Sequence, residues 1–365
     1  MILRAFIQAF IPLYPFMMGK FGAGSSDVGL FLSLSYAFLF LGTYLAGLIV
    51  PVYVKPKAML IVTLIGIALT LSGYGFSGNL WQFEISGYLM SFFIGLHFCS
   101  NSIMMGYYST ATSVSKNFST LAASSLLATV VGGLIVGPVI LWLGDMYAYY
   151  LFATILAVCT LFFFPLRQPE YHTAKKEIVK FKIDRQLFLL LITTLLICIL
   201  LYGFKMSISV MLKKRGWNIR DISVLMAIGT ALALPVTIWW GRLSNYKNAK
   251  SLLLITCLCG FAAYASLFFA GNYLAGVIGF ACISVVGYAI TIPSMSLLFK
   301  WYDHKHLPRA QSYTTAVVWI SAIIGFAFNG YALEQLHEST FICIGLLVAL
   351  MSLVPLWRIK TQIER

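Results

Sequence analysis

Apolar stretches of about twenty residues succeed one another along almost the whole chain, separated by short polar turns. A hydrocarbon layer about 30 Å thick is crossed by roughly 20 residues of helix. Inside it, a helix satisfies its own backbone N–H and C=O groups where water cannot reach them. The stretches are too long for barrel strands. The rest of the composition agrees: 60% of the 365 residues are hydrophobic and 10% are charged, against about 25% charged in a soluble domain. Such a chain could not cover its own surface in water.

The spacing predicts an all-α polytopic membrane protein with twelve transmembrane helices. They lie near 2–19, 28–50, 58–75, 82–107, 120–143, 147–165, 187–212, 221–241, 251–270, 273–299, 311–332 and 339–357. Turn chemistry separates them at Gly22 to Asp27, Gly75 to Asn79, Gly144-Asp145 and Gly271-Asn272. Met1 runs into the first stretch with Arg4 at its head and no small-residue cleavage site, so that stretch reads as a retained helix. An even count puts both termini on one side. With them fall nineteen of the 25 basic residues, including Lys55, Lys57, Lys116, Arg242, Lys250, Arg309 and the run from Arg167 to Arg185. The positive-inside bias then places both termini in the cytoplasm, in a cell membrane. The net charge of +14 is accounted for by these loops and not by nucleic-acid binding. Lys213-Lys214-Arg215 runs against the bias, and the sequence offers no reason beyond attraction for an anionic solute or lipid.

A repeat divides the chain. Asp27 and Gly47 recur 194 residues later as Asp221 and Gly241. Lys116, Gly132 and Gly137 recur 193 later as Arg309, Gly325 and Gly330. This predicts two pseudo-symmetric six-helix bundles, residues 1–165 and 187–365, joined by a polar cytoplasmic linker at 166–186. Their axis runs along the membrane normal, with a solute site between them near the midplane.

The turns after Gly47 and Gly241 carry a recognisable pattern. Gly47-Leu48 leads to Pro51 and the basic end Lys55 and Lys57. The second copy runs Gly241-Arg242-Leu243-Ser244-Asn245 to Lys247 and Lys250. Both resemble the major facilitator superfamily motif G-x-L-[AS]-D-[RK]-x-G-[RK]-[RK], with Pro51 and Asn245 in place of its acidic residue. Gly133, Gly137 and Pro138, in Gly132-Gly133-Leu134-Ile135-Val136-Gly137-Pro138, look like part of that family's G-x-x-x-G-P-x-x-G-G motif, with Leu141-Trp142 replacing the closing glycines. The resemblance covers essentially the whole chain. It implies a secondary transporter working by alternating access, and the second motif, associated with antiporting exporters, tips the expectation slightly toward efflux.

Charge at membrane depth is costly and marks function by default. Lys205 lies in the seventh stretch beside Tyr202. It is read either as a cavity cation for an anionic group or as a side chain reaching the headgroups. His97, followed by Asn101 at helical spacing, is a proton relay or a hydrogen-bonded packing residue. Gln8, Tyr14, Tyr36, Tyr288, Trp319 and Asn329 complete the cavity candidates. No Asp or Glu is expected at mid-depth, which argues against an organic-cation exporter and leaves an amphipathic or anionic compound, with the proton as coupling ion. Uptake of a sugar or organic acid and a non-transporting receptor are the alternatives. The seven cysteines fall in apolar stretches without metal-ligand spacing. No phosphate loop, HExxH or nucleophile elbow is present. The chain is therefore expected to be a monomer that needs no metal or cofactor and catalyses no reaction.

Overall fold

The computed structural model describes residues 10–50, 53–107, 114–165, 183–244, 249–302 and 306–360, with backbone only at 105–107, 114–122, 241–242, 244, 288–289, 299 and 307–309. Every regular element among them is helical. After a 3-10 turn at Ile11–Leu13 come α1 (Tyr14–Gly19), α2 (Ser25–Ile49), α3 (Pro56–Phe76), α4 (Leu80–Tyr107), α5 (Val114–Leu143) and α6 (Asp145–Cys159). The second half holds α7 (Arg185–Lys214), α8 (Ile219–Ser244), α9 (Ala249–Ser266), α10 (Tyr273–Ala289), α11 (Thr291–Trp301), α12 (Leu307–Gln335) and α13 (Glu338–Trp357). The helices α10 and α11 together form one crossing. Pro293 has no N–H for the Ala289 carbonyl, and the helix is interrupted between those residues. The expected segments agree with these helices to within several residues.

Among the described residues, ten helical spans are long and apolar enough to cross a bilayer. The first crossing is described only from residue 10. The polar residues Gln82, Glu84, His97 and Asn101 lower the hydropathy of α4. Large apolar side chains such as Leu347, Leu350, Met351 and Val354 stand exposed along one face of α13, a face fit for lipid. Buried hydroxyls return to their own helix: Thr63 donates to Met59 O at 2.8 Å, Thr256 to Leu252 O at 2.8 Å and Ser207 to Gly203 O at 2.7 Å. Turn residues named from the sequence cap helices. The Asn79 side chain accepts from Gln82 N and that of Asn272 from Leu274 N, each at 2.9 Å.

The repeat extends to atomic contacts. The left-handed glycines Gly22 and Gly216 (φ +80 and +83) are 194 residues apart and close equivalent turns. Lys20 pairs with Asp145 and Arg215 with Glu338, joining the first and last crossings of each half at one end. At the other end Lys57 Nζ donates to Phe164 O and Lys250 Nζ to Trp357 O, both at 2.7 Å, with both partners offset by 193. Packing follows suit: α2 on α4, α3 on α4 and α3 on α6 are matched by α8 on α10, α9 on α10 and α9 on α13. The offset falls from 194 to 193 between Gly47/Gly241 and Lys57/Lys250, so one residue is dropped in that turn of the second half.

Beside a smaller contact of the first membrane crossing with α7 and α8, the halves meet most extensively along two helix crossings, α2 on α12 and α5 on α8. Each is exchanged for the other when the halves swap, which makes the relation a quasi-two-fold. A Cβ on Gly29 would lie 2.6 Å from Phe326 O and 2.7 Å from Gly330 Cα; one on Gly330 would lie 2.8 Å from Ser25 O. In the second crossing a Cβ on Gly137 would lie 3.0 Å from Ile219 O, and one on Gly133 would lie 2.9 Å from Ser223 O. Gly29 corresponds to Ser223, Phe326 to Gly133 and Gly330 to Gly137. The Ser223 hydroxyl donates to Gly133 O.

These close approaches all lie near the end carrying the short turns at 20–24, 144 and 215–218, here termed the turn face. At the opposite, linker face, a Cβ on Gly47 would touch nothing, and neither α4 nor α11 packs extensively on the other half. The halves are therefore closed at the turn face. Gly29→Leu puts a side chain against backbone that cannot yield. In a cysteine-free background, spin labels at Trp81→Cys and Leu274→Cys, exposed equivalent positions on opposite halves, should move to longer distances in Gly29→Leu. An unchanged distance distribution would show that the crossing does not hold this face shut.

Candidate functional site

Below the turn-face closure a narrow, largely enclosed cleft lies between the halves. Its lining includes Pro12 and Thr129 from the first half and Lys205, Met226, Thr230 and Ser284 from the second. Pro12 sits in the 3-10 turn, which packs on α7 and α8. Its ring removes a backbone donor, as does that of Pro15, and the first crossing winds as a 3-10 turn beside the cleft. Lys205, half-buried, projects into this cleft. Thr230 and Ser284 share a hydrogen bond of 3.2 Å between α8 and α10, and Thr129 donates to Ser125 O at 3.0 Å. Phe280 adds an apolar surface. The ammonium, with the one hydroxyl hydrogen that the Thr230–Ser284 bond leaves over, can thus bind an acceptor-rich or negatively charged group, while Met226 and Phe280 exclude water around it.

Three other candidates meet at the α2–α12 crossing. The Tyr36 ring lies 5.2 Å from Tyr202, 5.8 Å from Trp319 and 5.1 Å from Phe326, centroid to centroid, and Tyr202 lies 5.4 Å from Phe326. These separations suit edge-to-face and tilted aromatic packing. The indole N–H of Trp319 is buried and has no hydrogen-bond partner among the described residues. Tyr202 and Lys205 are three residues apart on α7, so the aromatic cluster and the ammonium occupy neighbouring faces of one helix.

The structure places the remaining candidates elsewhere. Tyr14 is buried inside the first half, its hydroxyl 3.2 Å from that of Tyr74 and its ring against Phe31 and Phe83. His97 is buried toward the linker face, with Nδ1 3.1 Å from Thr63 Oγ1 and its ring edge-on to Phe163. Asn101 lies one turn further along α4, half-buried. Asn329 donates to Gly325 O at 2.6 Å and accepts from Tyr264 at 3.2 Å, bonds that stay within the second half. Gln8 and Asn245 lie outside the described residues, as do the side chains of Tyr288 and Arg242. Of the motif residues, Gly133 and Gly137 form the α5–α8 crossing beside Pro138. Lys57 and Lys250 close the ends of α6 and α13, where a cation meets the negative helix end. Gly47 makes no close approach; in its helix that is made by Gly42 against Phe92 O of α4.

Sequence reasoning missed Thr129, Thr230, Ser284, Met226 and Phe280. The repeat carried a signal for one of them, since Thr230 stands 194 residues after Tyr36. It also left the basic run at 213–215 unexplained. Lys213 Nζ donates to Pro15 O at 2.5 Å and stands 5.5 Å from the Phe16 ring centroid, bridging α7 to α1 across the halves. Arg215 pairs with Glu338 at 3.0 Å. These charges serve helix ends at the turn face. There Glu334 accepts from Ser26 N at 2.8 Å, a further polar link between halves.

Residues 1–299 match the family profile described as Major Facilitator Superfamily. A multi-drug resistance efflux pump, the PmrA homolog of Lactococcus lactis subsp. lactis, is 25% identical over 354 residues, 89% of this chain and 84% of that protein. The multidrug resistance protein MdtG of Salmonella arizonae is 25% identical over 271 residues, 69% of this chain and 65% of its own length. Among solved structures, the POT family transporter PepTSo superposes with a TM-score of 0.77 at 11% identity, covering 99% of this chain and 96% of that one. That likeness speaks for the fold.

The two sets of turn-face charges should behave differently. Lys213→Ala removes a link between halves and should lengthen the distance between labels at Trp81→Cys and Leu274→Cys. Arg215→Ala removes a partly exposed pair within one half. It should leave that distance unchanged and alter stability by no more than about 1 kcal/mol. Equal effects of the two substitutions would refute the assignment.

Proposed function

The chain belongs to the Major Facilitator Superfamily, and from that premise we propose that it is a proton-coupled exporter of an amphipathic or anionic organic compound. A transporter of this family moves a small solute through a membrane, and the observation that carries the finer reading is the ammonium of Lys205 in a cleft between the halves. A fixed cation beside hydroxyls and apolar surface attracts a negative or acceptor-rich solute and disfavours an organic cation. The names of the relatives from Lactococcus and Salmonella support outward transport.

The rest of the reading follows from charge and symmetry. The protein works as a monomer in the cell membrane, as a carrier and not an enzyme. Both termini lie in the cytoplasm, since the linker face holds most of the basic residues. The bundles are residues 1–165 and 187–365, with 166–186 as the cytoplasmic linker. The turn face is then external, and closure there is what an exporter needs while it takes up its solute from inside. Opening the turn-face crossings while the linker-face ends come together completes alternating access.

Two measurements test this. Inside-out vesicles with an acid lumen should accumulate an anionic fluorescent probe such as carboxyfluorescein, and dissipating the pH gradient should release it. Net loss of probe from the lumen under the same gradient would point to uptake instead. Single cysteines introduced at Lys176 and at Arg365 should both resist membrane-impermeant maleimide in intact cells and both react after permeabilisation. Labelling of one but not the other from outside would overturn the topology.

A further inference from the structure

The quasi-two-fold that relates the halves places equivalent positions on opposite sides of the central axis, but the side chains there are not equivalent. Tyr36 of α2 corresponds to Thr230 of α8, and Phe326 of α12 to Gly133 of α5. On the α2–α12 side the positions below the glycine crossing are aromatic, with the Tyr36 ring against those of Tyr202, Trp319 and Phe326 and Tyr202 against Phe326. On the α5–α8 side they are hydroxylic, with Thr129 and Thr230 joined by Ser284 and the ammonium of Lys205. The backbone scaffold is duplicated, and the side chains along the interface of the halves are polarised.

We propose that the cleft selects aryl organic anions, with the negative head at Lys205 and the planar ring against Tyr36 and Trp319. This deepens the exporter reading and rests on it. Three observations meet. Lys205 supplies a positive charge at membrane depth, where a negative group is worth most to it. Tyr202 and Lys205 are one turn apart on α7, so a single small molecule spans from one flank to the other without a long linker. The buried Trp319 N–H, without an acceptor among the described residues, offers a donor to an oxygen carried near the ring. A buried donor left unmade is costly, and a solute that accepts from it recovers that cost. Every polar feature assigned to the solute is thus an acceptor or a negative charge.

Four probes of similar size separate the contributions: 2-naphthylacetate, its neutral amide, the cation 2-naphthylethylamine, and decahydro-2-naphthylacetate, which keeps the charge and the fused-ring skeleton and lacks the aromaticity. Binding is measured on the purified full chain in nanodiscs. Naphthylacetate should bind at least tenfold more tightly than the amide, the amine and the decahydro analogue. Lys205→Met should abolish the preference for acid over amide, and Lys205→Arg should keep much of it. Trp319→Phe, which retains a ring and loses the N–H, should weaken naphthylacetate several-fold while leaving the acid-over-amide ratio intact. Size-exclusion profiles and the retained amide affinity of Lys205→Met exclude simple misfolding.

Equal or tighter binding of the amine, an undiminished acid preference in Lys205→Met, or no binding of any of the four would each overturn the inference. The exporter reading fails separately. Were the acid preference present and Lys205-dependent without any gradient-driven flux of naphthylacetate, the site would stand and the proposed transport would fall. Flux of the amine matching that of the acid would remove the selectivity and keep the transport.

Discussion

Two backbone-to-backbone crossings hold the halves together, and the remaining features of the fold depend on them. In an apolar medium no hydrophobic force draws one helix to another, so close association comes from dispersion, short polar contacts and small side chains. At Gly29, Gly330, Gly133 and Gly137 the absence of a Cβ lets main-chain atoms of opposite halves touch. Ser223, standing where the first half has Gly29, adds a hydroxyl that donates to Gly133 O. Such contacts have little give: a helix pair at this separation is packed, and a gap of about 0.5–1 Å already forfeits roughly a quarter to a half of the dispersion attraction. An interface of this kind favours two discrete arrangements over a continuum, which alternating access requires.

Around the crossings, charge is spent on helix ends. Lys57 and Lys250 meet terminal carbonyls within their own halves, and Lys213 meets Pro15 O across the halves. Glu334 receives the N–H of Ser26 at the start of α2. The α1–α2 corner is therefore held by a cation where one helix ends and an anion where the next begins, the signs that the helix dipoles favour. The basic run at 213–215, anomalous as a topology signal, is explained once these partners are seen. Lys205 stands apart from this pattern, placed in the cleft and away from any helix end.

Symmetry and its violation divide structure from function. Paired features such as Gly22 and Gly216, or Lys57–Phe164 and Lys250–Trp357, shape the scaffold in duplicate. The positions that differ between halves, Tyr36 against Thr230 and Phe326 against Gly133, make the two sides of the interface chemically distinct. A duplicated carrier can keep its moving parts equivalent while its lining adapts to an asymmetric solute.

The number and approximate boundaries of the helices were legible in the sequence because each depends on local quantities: apolar run length and turn residues. The repeat was legible for the same reason, and it is borne out down to individual contacts. What the sequence could not show was the direction in which a polar side chain points. Tyr14, His97 and Asn329 look as eligible as Tyr36, Tyr202 and Lys205, since a hydroxyl, imidazole or amide in an apolar run reads the same whether it faces its own bundle or the axis. Packing decided that Tyr14 meets Tyr74, His97 meets Thr63 and Asn329 meets Tyr264, while Tyr36, Tyr202 and Trp319 converge between the halves. It also drew Thr129, Thr230 and Ser284 toward Lys205, from helices far apart in the chain. Helices form by contacts four residues apart; a cleft forms by contacts a hundred residues apart, and only the tertiary structure fixes those.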